Sequence, residues 1–120
     1  MIRRGRTSII AAILFALLIL SRSAPAWAGY VTGAELLALC EDRDGGGFTE
    51  VYCLGYVTAL ADVLERNEVN GLRACIPDVD VETGWLEVVV MAYLRRHPDR
   101  GGYGAAGLVA DALGEAFPCR

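Results

Sequence analysis

The residues able to act as nucleophiles are few. The only serines, Ser8, Ser21 and Ser23, fall in the first 23 residues, and lysine does not occur. A Cys–His pair would need a free thiol beside His97, the single histidine, whereas the cysteines number four, at positions 40, 53, 75 and 119. An even count points to pairing rather than to a free thiolate. Zinc fits no better, because the gaps of 12, 21 and 43 residues between cysteines contain no Cys-x-x-Cys knuckle. Two carboxylates could in principle perform glycosidic acid–base chemistry, but none of the fifteen acids stands out as a pair, and a small helical domain has little room for a sugar cleft. Non-catalytic binding without cofactor or metal is the expectation.

The start of the chain reads as an export signal. Arg3, Arg4 and Arg6 precede an apolar run from Ile9 to Leu20, and Ala24-Pro25-Ala26-Trp27-Ala28 supplies an Ala-x-Ala cleavage site. A membrane anchor is the rival, yet twelve apolar residues reach only about 18 Å as a helix against a hydrocarbon core of about 30 Å. Residues 1–28 are therefore expected to be removed, leaving a domain of 92 residues, 29–120, in the periplasm. That domain carries seven arginines against fifteen acids, a net charge of −8, which disfavours nucleic acid and anionic membrane surfaces as partners. In an oxidising compartment the default is two disulfides, and four cysteines allow three pairings.

The elements that must position any binding residue are helical. Cys53, Tyr56, Val57, Leu60 and Leu64 recur at i, i+3, i+4, i+7 and i+11 within the segment 48–64, which predicts a central helix with one buried face. Gly55 inside it predicts a close neighbour, and Asp62 with Arg66 predicts a surface ion pair. A preceding helix is expected from Thr32, because Thr32-Gly33-Ala34-Glu35 has capping-box spacing; Leu36, Leu37, Leu39 and Cys40 form its apolar side. The acidic, glycine-rich run 41–47 reverses the chain, a plain turn rather than a phosphate loop, since no Gly-Lys-Ser/Thr follows.

Asn70-Gly71 breaks the chain after the central helix, and Cys75-Ile76-Pro77-Asp78 reads as a loop held by its cysteine. The next segment carries Val88-Val89-Val90, strand-like in propensity, but Leu86, Val89, Val90, Tyr93 and Leu94 follow a helical period. A helix capped by Asp80 or Thr83 and stopped by His97-Pro98 is expected. Residues 99–104 read as a flexible connection. A last helix presents Leu108, Val109, Ala112, Leu113, Ala116 and Phe117 before Pro118 ends it. The fold class is thus all-α, a small disulfide-stabilised bundle of four to five helices.

Several stretches together resemble a known family: Cys53-Leu54-Gly55-Tyr56-Val57 with Asp62, then Cys75-Ile76-Pro77, then residues 89–94 leading to His97-Pro98, and finally Ala112-Leu113 with Ala116-Phe117-Pro118-Cys119. These resemble the Rap/Tai family of type VI secretion amidase immunity proteins. The resemblance implies a periplasmic, non-catalytic homodimer that inhibits a cognate peptidoglycan amidase. It carries over residues that shape the fold, Gly55, Tyr56, Asp62, Pro77, Pro98, Phe117, Pro118 and the cysteines, and no catalytic residue. Trp85-Leu86 stands where the family tends to have a glutamine, and the run 100–104 is unusually rich in glycine. The alternative is a helical periplasmic protein with a structural or chaperone-like role and no toxin partner.

If the helices run up and down, Cys40 lies opposite Cys53 and Cys75 meets Cys119, which is the expected pairing. The connection from His97 to Gly104 is expected to extend beyond the bundle and present Arg100 and Tyr103 to the amidase, both being residue types that dominate interface hot spots. The plain reading of that connection is a solvated loop with an exposed arginine and a tyrosine packed on the core. The exposed face around Trp85 is the second candidate surface.

Overall fold

Thr32 and Glu35 form the expected capping box: the Thr32 hydroxyl accepts the Glu35 N–H at 3.2 Å, and the Glu35 carboxylate accepts the Thr32 N–H at 2.8 Å. The backbone bond from Thr32, followed by its hydroxyl, holds the Glu35 carboxyl below its usual range. A helix over Gly33–Glu41 starts at this cap in the computed structural model, which describes residues 3–20, 29–42, 44–77 and 82–120. The elements in order are α1 (Arg3–Leu20), α2 (Gly33–Glu41), α3 (Phe48–Arg66), α4 (Thr83–Arg96), a 3₁₀ turn at Pro98–Arg100 and α5 (Ala105–Ala116). The fold is an all-α bundle.

The side chains of α1 at positions 7–17 are exposed, and no described helix is long and apolar enough to cross a membrane. The expected cleavage site, residues 26–28, lies outside the described residues. α2 and α3 form a hairpin through a turn in which Gly46 and Gly47 take φ of 67° and 84°, values that glycine adopts without penalty. Thr49, buried at the start of α3, donates its hydroxyl to the Asp42 carbonyl at 2.8 Å and so ties the turn to both helices. Asn70 and Gly71, both at positive φ, make the two-residue reversal between Val69 and Leu72.

The core is built from the stripes that the periodicity predicts. α3 contributes Cys53, Val57, Ala61 and Leu64, and α4 contributes Leu86, Val90, Tyr93 and Leu94. Helical period thus prevails over the strand propensity of residues 88–90. α5 packs against α2, α3 and α4, and burial spreads from its predicted stripe to Ala105 and Ala110. Their small side chains let three neighbours approach one helix. The far end of the predicted stripe is different: Ala116 is exposed and Phe117 only half-buried.

Other expectations fail for local reasons. Gly55 is exposed, and a Cβ placed there would meet nothing within 4 Å, so no ring or backbone of the described residues packs on it. Close contact falls instead on other glycines, among them Gly33, where a Cβ would come within 2.3 Å of the Leu108 side chain. Asp62 and Arg66 do not pair; the described ion pairs join different helices instead, Arg95 to Glu41 at 2.6 Å and Arg96 to Glu115 at 3.5 Å. Glu82 occupies the N-cap of α4 without a side-chain bond and Thr83 is already helical, while Asp80 lies outside the described residues.

Both disulfides have the expected pairing. Cys40–Cys53 joins α2 to α3 with Cα atoms 5.1 Å apart, and Cys75–Cys119 joins the loop after α3 to the C-terminus at 5.0 Å. Beside the second bond the Cys75 N–H donates to the Phe117 carbonyl at 2.9 Å. Loop-closure entropy gives about 4 kcal/mol for the longer loop and about 3 kcal/mol for the shorter. Urea denaturation should therefore find the Cys75→Ala/Cys119→Ala double variant less stable than Cys40→Ala/Cys53→Ala; the reverse order would show that packing around buried Cys53 outweighs chain entropy.

Candidate partner-binding surface

Tyr93 sits buried on α4 and sends its hydroxyl to the Asp111 carboxylate of α5 at 3.4 Å. Arg100, from the 3₁₀ turn, places Nη2 2.7 Å from the same carboxylate and donates through Nη1 to the Tyr93 hydroxyl oxygen. Its guanidinium lies 5.8 Å from the ring centroid of Tyr103, which remains 61% exposed. The His97 ring packs 4.3 Å from that of Tyr93. Three of the predicted partner-binding residues, His97, Arg100 and Tyr103, thus gather around one tyrosine–aspartate pair.

This geometry corrects the expected shape of the 97–104 connection. It does not extend from the bundle, because its carbonyls cap the start of α2: the Gly33 N–H donates to Tyr103 O and the Ala34 N–H to Gly101 O, both at 2.9 Å. The Ala105 N–H then donates to Val31 O at 2.8 Å. Helix N-termini have unsatisfied N–H groups that any nearby carbonyl can take up, and the glycines allow the backbone to come close enough. Gly101 lies against Ala34, with space for a Cβ only at 3.3 Å from the Ala34 Cβ. Glycine here serves contact, not freedom.

The two anchors also exchange the places assigned to them by the plain reading. Arg100 is drawn inward by Asp111 and Tyr93, while Tyr103 is held outward by the arginine beneath it. The hydrogen bond from Arg100 to Asp111, followed by their charge attraction, raises the Arg100 pKa. Burial, reinforced by the Asp111 charge, raises that of Tyr93, and burial with the nearby Tyr52 raises that of Tyr56. Trp85 is not part of this cluster. It stands 57% exposed near the start of α4, twelve residues or about 18 Å of helix from His97.

The residues of the structural motif fall into two groups. Tyr56, half-buried, packs on the core, Phe117 lends its carbonyl to Cys75, and Pro98 opens the 3₁₀ turn. Gly55, Asp62, Pro77 and Pro118 are exposed. The Cys40 and Cys53 sulfurs and a Glu87 carboxylate oxygen lie within 4.8 Å of one another, but sulfurs spent in a disulfide do not ligate a metal.

A family model described as Rap1a immunity proteins matches residues 32–119, from the α2 cap to the last disulfide cysteine. The chain belongs to the Rap1a immunity protein family. No curated protein and no solved structure matches it. The Rap1a match bears out the resemblance carried by the cysteine, Gly-Tyr and Phe-Pro-Cys motifs. What the sequence reading missed in this Rap1a chain is Asp111, which lies on the partly buried edge of α5 and has no spacing signal linking it to Arg100.

Two outcomes follow from the Tyr93–Asp111–Arg100 cluster. Asp111→Asn should cost on the order of 1–2 kcal/mol by leaving the guanidinium without its charge partner, and should accelerate amide exchange at 101–104 ahead of the rest of the bundle; equal exchange would mean that the backbone bonds alone hold the loop. Tyr56 and Tyr93 keep their phenolic protons more tightly folded than unfolded. Their contribution is therefore intact below the unfolded pKa of about 10 and is lost as pH rises through the higher folded values. Unfolding free energy should fall with pH above about 10, with a shallower slope in Tyr56→Phe.

Proposed function

We propose that this protein is a periplasmic immunity protein that binds and inhibits a cognate peptidoglycan amidase delivered by type VI secretion, acting as a homodimer and catalysing nothing itself. The observation that carries this reading is the Rap1a family match across nearly the whole helical domain. The covalent chemistry is in keeping with it: all four cysteines are consumed in disulfides, as an oxidising compartment favours. The ring of the sole histidine packs against that of Tyr93, the two tilted by 39°.

Inhibition in this reading is occlusion. Tyr103 is the central contact, a broad exposed ring set on a backbone that is already fastened, so little conformational entropy is lost on binding. Arg100 positions it and lines one concavity with it, beside Asn70 and Asp111, while His97 lines a separate groove between α2 and α4 with Ala34, Leu37 and Pro98. Trp85 belongs to a separate contact at the far end of α4. The net negative charge of the domain favours an enzyme whose cleft is rimmed with basic groups.

The test is inhibition of the amidase encoded beside this gene. Tyr103→Ala should weaken binding by at least about tenfold, or about 1.4 kcal/mol, with an unchanged circular dichroism spectrum and melting temperature. Loss in Trp85→Ala instead would move the inhibitory surface to the start of α4. No binding to the neighbouring amidase, or release of soluble muropeptides by this protein alone, would overturn the proposal.

A further inference from the structure

The outward face of α3 is left exposed by the described residues. Phe48 and Val51 are 71% and 70% exposed, and Val63 is 41% exposed, although the core face of the same helix is already complete. Phe48, Tyr52 and Tyr56 form a ladder along that face, with ring centroids 6.2 Å and 6.3 Å apart. Between and beyond the rings stand two small exposed residues, Gly55 and Ala59. A mid-helix glycine with open space around it weakens the helix for no contact that the protomer makes.

We infer that a second copy of this chain closes this face, the two α3 helices crossing antiparallel about a twofold axis close to Gly55. The inference rests on the homodimer of the proposed function and names its surface. A twofold contact must be self-complementary, each residue meeting its mirror position on the partner. With the axis at Gly55–Tyr56, Phe48 meets Val63 of the partner subunit, Tyr52 meets Ala59 of the partner subunit, and Tyr56 lies over Gly55 of the partner subunit. Every large side chain is then opposed by a smaller one. A parallel pairing would set Phe48 on its own copy and leave the small residues facing each other across a void.

Charge selects the same arrangement. Arg66 lies eighteen residues after Phe48, five full turns, and so on the same face. It has no ion-pair partner among the described residues. Antiparallel pairing brings it to the 42–47 turn of the partner, where Asp42 and Asp44 are exposed. The absent packing at Gly55 and the absent ion pair at Arg66, both unexplained within the protomer, thus have one cause.

The experiment uses protein recovered from the periplasm after export. Sedimentation equilibrium at micromolar concentration should give a dimer, and Gly55→Glu should raise its dissociation constant at least about tenfold while helical circular dichroism is retained and the amidase is still bound. In a second variant Gly55→Cys should yield a disulfide-linked dimer on a non-reducing gel, whereas Ala92→Cys on the exposed side of α4 should not; this readout decides the matter if Gly55→Glu fails to fold. A monomeric wild-type protein, a dimer indifferent to Gly55→Glu, or no cross-link through position 55 would overturn the inference. If Gly55→Glu instead abolishes amidase binding by a monomeric protein, the face belongs to the amidase and the second copy is ruled out. A monomer that still binds the amidase would leave the immunity function standing without this interface.

Discussion

The constraint on which everything else depends is the smallness of the core. Four helices of 9–19 residues bury too little apolar surface to hold long loops in place by packing alone. The chain answers with closure at three places. Cys40–Cys53 fixes the rotation of α3 against α2, Cys75–Cys119 fastens the loop after α3 to the end of α5, and the carbonyls of 101–103 are spent on the first N–H groups of α2. The first of these closures has the widest effect. Because Cys53 is fully buried and bonded, α3 cannot rotate to hide its aromatic side, and the exposure of Phe48 and Val51 follows from where the sulfur must be.

The same closures explain how a glycine-rich segment becomes a rigid one. Gly101, Gly102 and Gly104 would ordinarily cost the most conformational entropy on ordering. Here the carbonyls of Gly101 and Tyr103 satisfy a helix start that would otherwise be unpaired, and Arg100 adds an ion pair to a partly buried carboxylate. Isolated surface ion pairs contribute little. The Arg100–Asp111 pair differs because it shares its acceptor with the Tyr93 hydroxyl, so one carboxylate organises α4, the 3₁₀ turn and α5 together. Tyr103 owes its position to that arrangement together with its own backbone bonds to Gly33 and Arg100.

The sequence was legible wherever the interaction is local. The capping box at Thr32–Glu35, the His97-Pro98 stop and the helical period across Val88–Val90 each depend on residues a few positions apart, and each appears as read, whereas the central helix ends at Arg66, before the Asn70-Gly71 pair expected to break it. The disulfide pairing came through because it needs only the direction of successive helices. Legibility ended where the deciding partner is remote. Nothing near Arg100 announces Asp111, and nothing near Gly33 announces the Leu108 side chain that requires a glycine there. The predicted Asp62–Arg66 pair failed for the converse reason: spacing permits a contact but does not supply the desolvation that would make it persist in water.

Gly55 shows how one such failure can carry information. A helical wheel assigns residues to faces, and the glycine was read as evidence of something packed against it; the face is in fact open. If glycine there served only to relieve crowding within the protomer, its neighbours would be close, and they are not. The face carries an aromatic ladder beside its charged residues Asp62 and Arg66. The proposed pairing rests on this combination: a missing Cβ, rings on either side of it, and an arginine at the far end with no ion pair among the described residues.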